Sequence, residues 1–348
     1  MNNIKDVIIS KINKTFKNLN IDNYIDYNYN ININNSYFDN LFNSIYNYKY
    51  NDILKISIKL CLLSYLKKNE ISNIIKWKNL KYSNDLEKSK YYIIYNKSHN
   101  KIIFVFRGTY YIGNAIQGLK YFRHNYDFLT DNEKKDFIDW RNKNVYKNKN
   151  FDKMKLPLKD DTDIEIHKGF YEESLSLLDN IINDILLIIK NQNTEIIFMG
   201  HSMGIISNII SLLVKIRLKR YELLSDFFNN IKFYNITINS PTIGNKNYNL
   251  LKFYYGINKT FQFYNNQDEF VKYGYEKTFF GNKKIRHTGY MLKNNNITIN
   301  NNYYIMIDYG KYIEKIYEKF EKDDKIKNKI MFFHSYFKIP GFKKIMFI

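Results

Sequence analysis

Cysteine is almost missing from this sequence: Cys61 stands alone in 348 residues, so no disulfide can close within the chain. Long apolar runs are missing too. Nowhere do 18 apolar residues follow one another, which argues against a membrane-spanning helix. Met1–Leu19 has polar or charged residues every few positions and no apolar core, so it does not read as a secretory leader. The expectation is an intracellular (cytoplasmic) or membrane-peripheral protein. No H-x-x-H spacing occurs, and no metal or cofactor is expected. Proline (3 residues) and alanine are scarce.

Lysine, asparagine, isoleucine and tyrosine are abundant instead, and all four have A/T-rich codons. The formal charge of +20 therefore reflects lysine spread over a solvated surface. Such a charge favours peripheral contact with an anionic membrane or a lipid droplet at low salt. Lysines interleaved with Tyr and Phe would also suit single-stranded nucleic acid. No recognised module is present and the basic residues are dispersed, so no specific nucleic-acid partner is expected.

Residues 1–50 are rich in Asn, Tyr and Ile and read as an N-terminal arm, with low complexity over Asn20–Asn40. The main domain is expected over 51–348. Apolar spacing predicts a helix from Asp52 to Leu66, capped by Asn51 or Asp52. Tyr91–Tyr95 and Ile102–Phe106 read as a β-hairpin. A long polar excursion over about 110–165 carries a helical stretch from Asp131 to Trp140. Glu172–Lys190 is an amphipathic helix, Glu195–Met199 a short apolar strand, and Ile205–Leu218 another helix. Ile231–Asn239, Thr260–Tyr264 and Tyr303–Ile307 are further strands, and Tyr312–Phe320 a late helix. Strands alternating with helices predict a mostly parallel sheet covered on both faces.

Between the strand at Glu195–Met199 and the next helix lies Gly200-His201-Ser202-Met203-Gly204. A serine at a tight strand-to-helix turn presents an exposed hydroxyl on a strained backbone, and flanking glycines let helix and strand approach closely. A helix N-terminus behind the serine favours developing negative charge. Such a serine needs a base, and the base an orienting acid, in the chain order Ser, Asp or Glu, His. That order leaves His287 and His334 as bases. It points to Asp268, just past the strand at Thr260–Tyr264, as the acid, with Glu269 as the lesser candidate.

Six segments in order resemble the class 3 (fungal and plant-type) lipase family of the α/β-hydrolase superfamily, over roughly residues 50–340. They are "IIFVFRGT" at 102–109, "HKGF" at 167–170, "IIFMGHSMG" at 196–204, "NSPTIGN" at 239–245, "NNQDEFV" at 265–271 and "HSYF" at 334–337. The resemblance implies an α/β-hydrolase fold with a lid inserted after the oxyanion strand, in the excursion at about 110–165. It implies a catalytic triad of Ser202, Asp268 and His334. It also implies an oxyanion hole made by Thr109 and the Met203 N–H, and an elbow shaped by Gly200, His201 and Gly204. His287, in "HTGY", resembles a structural segment. Ile205 stands where the family generally has a second glycine. In "YYIGNAIQGL", Ala115 and Gly118 replace the usual tryptophan and aspartate.

The function implied is serine-esterase hydrolysis of lipid esters, as in triacylglycerol lipases, through an acyl-enzyme. Two alternatives share the scaffold: phospholipase A-type activity on anionic membranes, and a catalytically inactive hydrolase that binds lipid or protein. An acyltransferase would use the same triad.

Overall fold

The computed structural model describes residues 35–64, 71, 80–82, 91–96, 100–108, 123–125, 128–146, 162–189, 193–220, 230–241, 243–264, 297–299 and 302–308. The elements in chain order are helices α1 (Asn35–Tyr46) and α2 (Tyr50–Leu63), then strands β1 (Leu80–Tyr82), β2 (Tyr91–Asn96), β3 (Lys101–Phe106) and β4 (Arg123–Asn125). Helix α3 (Asp131–Asn144), β5 (Glu165–His167), α4 (Lys168–Ile188) and β6 (Glu195–His201) follow. After them come a 3₁₀ turn (Ser202–Ile205), α5 (Ile206–Lys219), β7 (Lys232–Ile238), α6 (Lys246–Tyr254), β8 (Ile257–Tyr264), β9 (Ile297–Ile299) and β10 (Asn302–Asp308).

Eight strands form one sheet in the order β1-β2-β3-β6-β7-β8-β10-β9, and β4 pairs with β5 apart from it. β3, β6, β7, β8 and β10 run parallel, while β1, β2 and β9 are antiparallel edge additions. The expected hairpin is present, with Tyr95 opposite Ile102 and Asn96 opposite Lys101. The central parallel strands β3 and β6 read as apolar runs because both of their faces are buried. One face, with Phe104, Phe198 and Phe233, packs against helices α3 to α6. The other, with Ile103, Ile197 and Ile236, is covered by α1 and α2.

Helix α1 places Phe38, Leu41, Phe42 and Ile45 in that second core. It lies within the stretch read as an N-terminal arm; residues 1–34 are outside the described residues. Its end is pinned at the base of the sheet, where the Tyr46 hydroxyl donates to the Glu195 carboxylate. Tyr234 donates to the same carboxylate at 2.9 Å, and Lys259 Nζ donates to the Ile45 carbonyl at 3.0 Å. Helix α2 starts at Tyr50, so Asp52 is not its cap. Asp52 sits in the first turn, where a carboxylate favours the positive end of the helix dipole.

The excursion is partly built into the body. Helix α3 has a full capping box, with the Thr130 side chain accepting from the Glu133 N–H and Glu133 accepting from the Thr130 N–H. Arg220, just past α5, grips Glu133 with two hydrogen bonds of 2.9 and 2.6 Å. Fully buried Arg141 donates to Asn247 Oδ1 at 2.7 Å. Residues 109–122 and 147–161, which hold the rest of the expected lid, lie outside the described residues, as does the helix expected at Tyr312–Phe320.

Candidate active site

Seven residues of β6, Glu195–His201, are all buried, and the strand ends in the middle of the sheet between β3 and β7. The chain then turns at once into the Ser202–Ile205 turn and α5. Ser202 makes that turn with φ 54, in the left-handed region that costs an L-residue about 1–2 kcal/mol. No glycine relieves the strain at this position. A strained side chain held at a strand end is the geometry in which a serine hydroxyl stands clear of its own backbone.

Gly200 and Gly204 make the turn possible. A Cβ on Gly200 would lie 2.1 Å from the Gly204 carbonyl oxygen. A Cβ on Gly204 would lie 2.7 Å from the Phe106 carbonyl oxygen. Ile205, where the family generally has glycine, is 2% exposed and packs into the core beneath α5.

The register brings further parts to this edge. Phe106, the last residue of β3, pairs with Gly200. Buried Arg107 and Gly108 therefore leave the sheet beside the elbow, heading to Thr109, which is outside the described residues. On the other side, His201 pairs with Ile238, so Asn239 stands level with Ser202. Asn239 also has a positive φ, 45, and its N–H donates to the Phe263 carbonyl at 2.9 Å. β8 runs to Tyr264, four residues before Asp268. Asp268, Glu269, His287 and His334 lie outside the described residues.

His167 and His201 have structural surroundings. His201 is buried at the end of β6. His167 caps α4, with Nδ1 accepting from the Phe170 N–H at 3.3 Å and its ring 4.2 Å from that of Phe170. Met203 contributes its backbone to the turn. Among the described residues, no group of three or more His, Cys, Asp or Glu could hold a metal ion, and no helix is long and apolar enough to cross a membrane.

Sequence reasoning left out the buried polar group beneath the elbow helix. Asn208 of α5 accepts from the Tyr248 hydroxyl at 2.8 Å and from Lys252 Nζ at 3.1 Å, tying α5 to α6. Burial lowers the Lys252 amine to about 7. The signal was present as the Ser207-Asn208 pair in the first turn of α5, among apolar residues, but only the packing shows which partners it meets.

A mostly parallel sheet covered by helices, with a serine on a strained turn between a central strand and the next helix, defines an α/β-hydrolase. The family model for class 3 lipases matches residues 103–275, about half of the chain and including Ser202, and the chain belongs to that family. It is a carboxylic ester hydrolase. Solved structures similar to it include a triacylglycerol lipase described as having a serine-protease triad at its catalytic centre. That match has 16% identity over 62% of this chain and 70% of that one, with a TM-score of 0.39. The triacylglyceride lipase of Rhizomucor miehei matches at 16% identity over 59% and 70%, TM-score 0.34. A lipase from Rhizopus microsporus var. chinensis matches at 11% over 69% and 70%, TM-score 0.36. No curated protein sequence matches the chain.

Proposed function

We propose that the chain is a serine lipase that cleaves acylglycerol esters through a Ser202–Asp268–His334 triad and an acyl-enzyme. Ser202 attacks the ester carbonyl while His334 takes its proton. His334 then returns that proton to the leaving alcohol, and Asp268 holds the imidazole and stabilises its cation. The oxyanion is met by the Met203 N–H and by Thr109, each donor contributing on the order of 10²-fold or more in rate. Water then repeats the sequence on the acyl-enzyme and frees the acid.

The observation that carries this reading is the left-handed Ser202 at the end of β6, held by Gly200 and Gly204. A chain that needed only a turn here would place glycine at the strained position. Two features support the reading: the segment that leads to Thr109 leaves the sheet beside the elbow, and β8 ends at Tyr264, four residues before Asp268.

Phospholipase A-type cleavage on an anionic membrane is the second reading, favoured by the +20 charge. An inactive binding scaffold is the third. Labelling by a fluorophosphonate probe separates activity from inactivity: wild type reacts, and Ser202→Ala and His334→Ala do not. Absence of labelling in folded wild type with a lipid interface present would leave the scaffold. Release of fatty acid from triacylglycerol emulsions, beside anionic phospholipid vesicles, then decides the ester class.

A further inference from the structure

At the base of the sheet, away from Ser202, a cleft of about 400 Å³ opens between the ends of α5 and α6 and the starts of β7 and β8. Three lysines line it. Lys215 and Lys219 project from consecutive turns of α5, and Lys232 comes from the facing strand β7. Lys215 is buried, with Nζ donating to the Ile231 carbonyl at 3.0 Å. Tyr254 and Tyr255 form an aromatic wall, and the Lys219 ammonium lies 5.1 and 5.2 Å from their ring centroids. Asn230 and Asn258 add amide groups.

Like charges do not converge without cost. Desolvation, and then repulsion from Lys219, lower the Lys215 amine to about 8. Helix-end lysines ordinarily offset the helix dipole, and the ends of α5 and α6 bring about half a negative charge each. Among the described residues, Glu195 is the carboxylate that pairs with Lys232, at 3.7 Å, and Tyr46 and Tyr234 already donate to it. Among the described lining residues, three ammoniums against two helix ends and the Glu195 carboxylate leave an excess of about one positive charge; Glu133 and Asp136 act on Tyr254 and Tyr255 without lining the cleft. Solvent reaches it, since the side chain of Lys232 is 59% exposed.

We propose that this basal cleft binds a small soluble phosphate ester, with Lys219 and Lys232 on the phosphate and the Tyr254–Tyr255 wall against the remainder of the molecule. The site is separate from the ester-cleaving centre. Glu195 pairs with Lys232 at the base of β6, and Ser202 follows the other end of that strand, ~20 Å away at about 3.3 Å per residue. A bilayer headgroup would present the same phosphate chemistry. Docking the base on a bilayer would turn Ser202 away from the lipid, however, so the geometry favours a soluble ligand.

The test uses the full chain, with inorganic phosphate and glycerol 3-phosphate titrated at constant ionic strength. Both should raise the melting temperature above that in chloride, because a ligand of the folded state alone stabilises it. Lys219→Gln with Lys232→Gln should weaken binding at least fivefold. Lys143→Gln with Lys168→Gln, an equal charge change elsewhere, should leave it unchanged. Magnetisation transfer from the ring protons of Tyr254 and Tyr255 to glycerol 3-phosphate reads the cleft in the wild type, whatever the variants do to folding. Phosphate acting no differently from chloride, equal losses in the two double variants, or absent transfer at saturation would each overturn the proposal. So would capture of phosphatidic acid vesicles, lost in Lys219→Gln with Lys232→Gln, without binding of soluble phosphates.

Discussion

Gly204 lies so close to Phe106 that a Cβ added to it would stand 2.7 Å from the Phe106 carbonyl oxygen. The contact joins the first turn after β6 to the last residue of β3, and so fixes the elbow against the strand that leads to Thr109. Gly204→Ala must push the elbow off β3. We expect a loss of about 1–3 kcal/mol, the usual cost of overpacking, read as a lower midpoint in urea. Fluorophosphonate labelling should slow more than the remaining folded fraction explains. An unchanged midpoint would mean that the approach is not as tight as described.

Strain at Ser202 separates two substitutions that both remove the hydroxyl. Ser202→Gly relaxes the positive φ, whereas Ser202→Ala keeps it. The glycine variant should be at least as stable as the alanine one, by up to about 1 kcal/mol, since relief of strain exceeds the added freedom of the unfolded chain. Neither should label. Denaturant unfolding of the pair reads the difference, and a clearly more stable alanine variant would argue against strain.

Burial pushes the Glu133 carboxyl up, but hydrogen bonds from Arg220 and from the Thr130 N–H, with the Arg220 charge, outweigh it and hold it below the ordinary range. A depressed carboxyl contributes stability above its unfolded pKa and loses it as pH falls through the folded one. Glu133→Gln should therefore cost stability at pH 7 and flatten the acid side of the profile below about pH 4.5. Because the pair is partly exposed, a double-mutant cycle with Arg220→Gln should give a coupling of only about 0.5–1 kcal/mol.

Lys252 works in the opposite sense. Burial lowers its amine from 10.5 to about 7, so the unfolded chain binds the proton more tightly. Stability from this group rises with pH between about 7 and 10.5, by at most about 1.4 kcal/mol per pH unit, and the full penalty is present below 7. Lys252→Met should remove that slope and raise stability near neutrality. The Asn208 carbonyl keeps the Tyr248 hydroxyl as its donor. Subtracting the two pH profiles isolates the effect; a flat difference would show that Lys252 keeps its charge solvated.

The central strands and helices were legible because their signals are local. β6 is a short apolar run, the face of α4 repeats at helical spacing, and β2 and β3 read as a hairpin. The boundaries moved by a few residues: α4 begins at Lys168, four residues before the expected start, since the His167 ring supplies the cap. Helix α1 was hidden in an Asn- and Tyr-rich stretch whose composition resembles an unordered arm. Its apolar positions make sense only against the face of the sheet. Short α6, which begins after the Asn245 cap, has weak amphipathic character, and its partners are polar groups on α5 and α3.

By itself the sequence determined the order of elements, the serine between two glycines and the kinds of residue that could serve it, because periodicity, turn chemistry and motif spacing act over a few neighbours. Tertiary structure alone decided that Phe106 borders Gly204, that Asn239 stands level with Ser202, and that Lys215, Lys219 and Lys232 meet in one cleft. Those pairings depend on which strands become neighbours and in what register. That choice is made by burying two apolar faces at once, a condition no single segment carries.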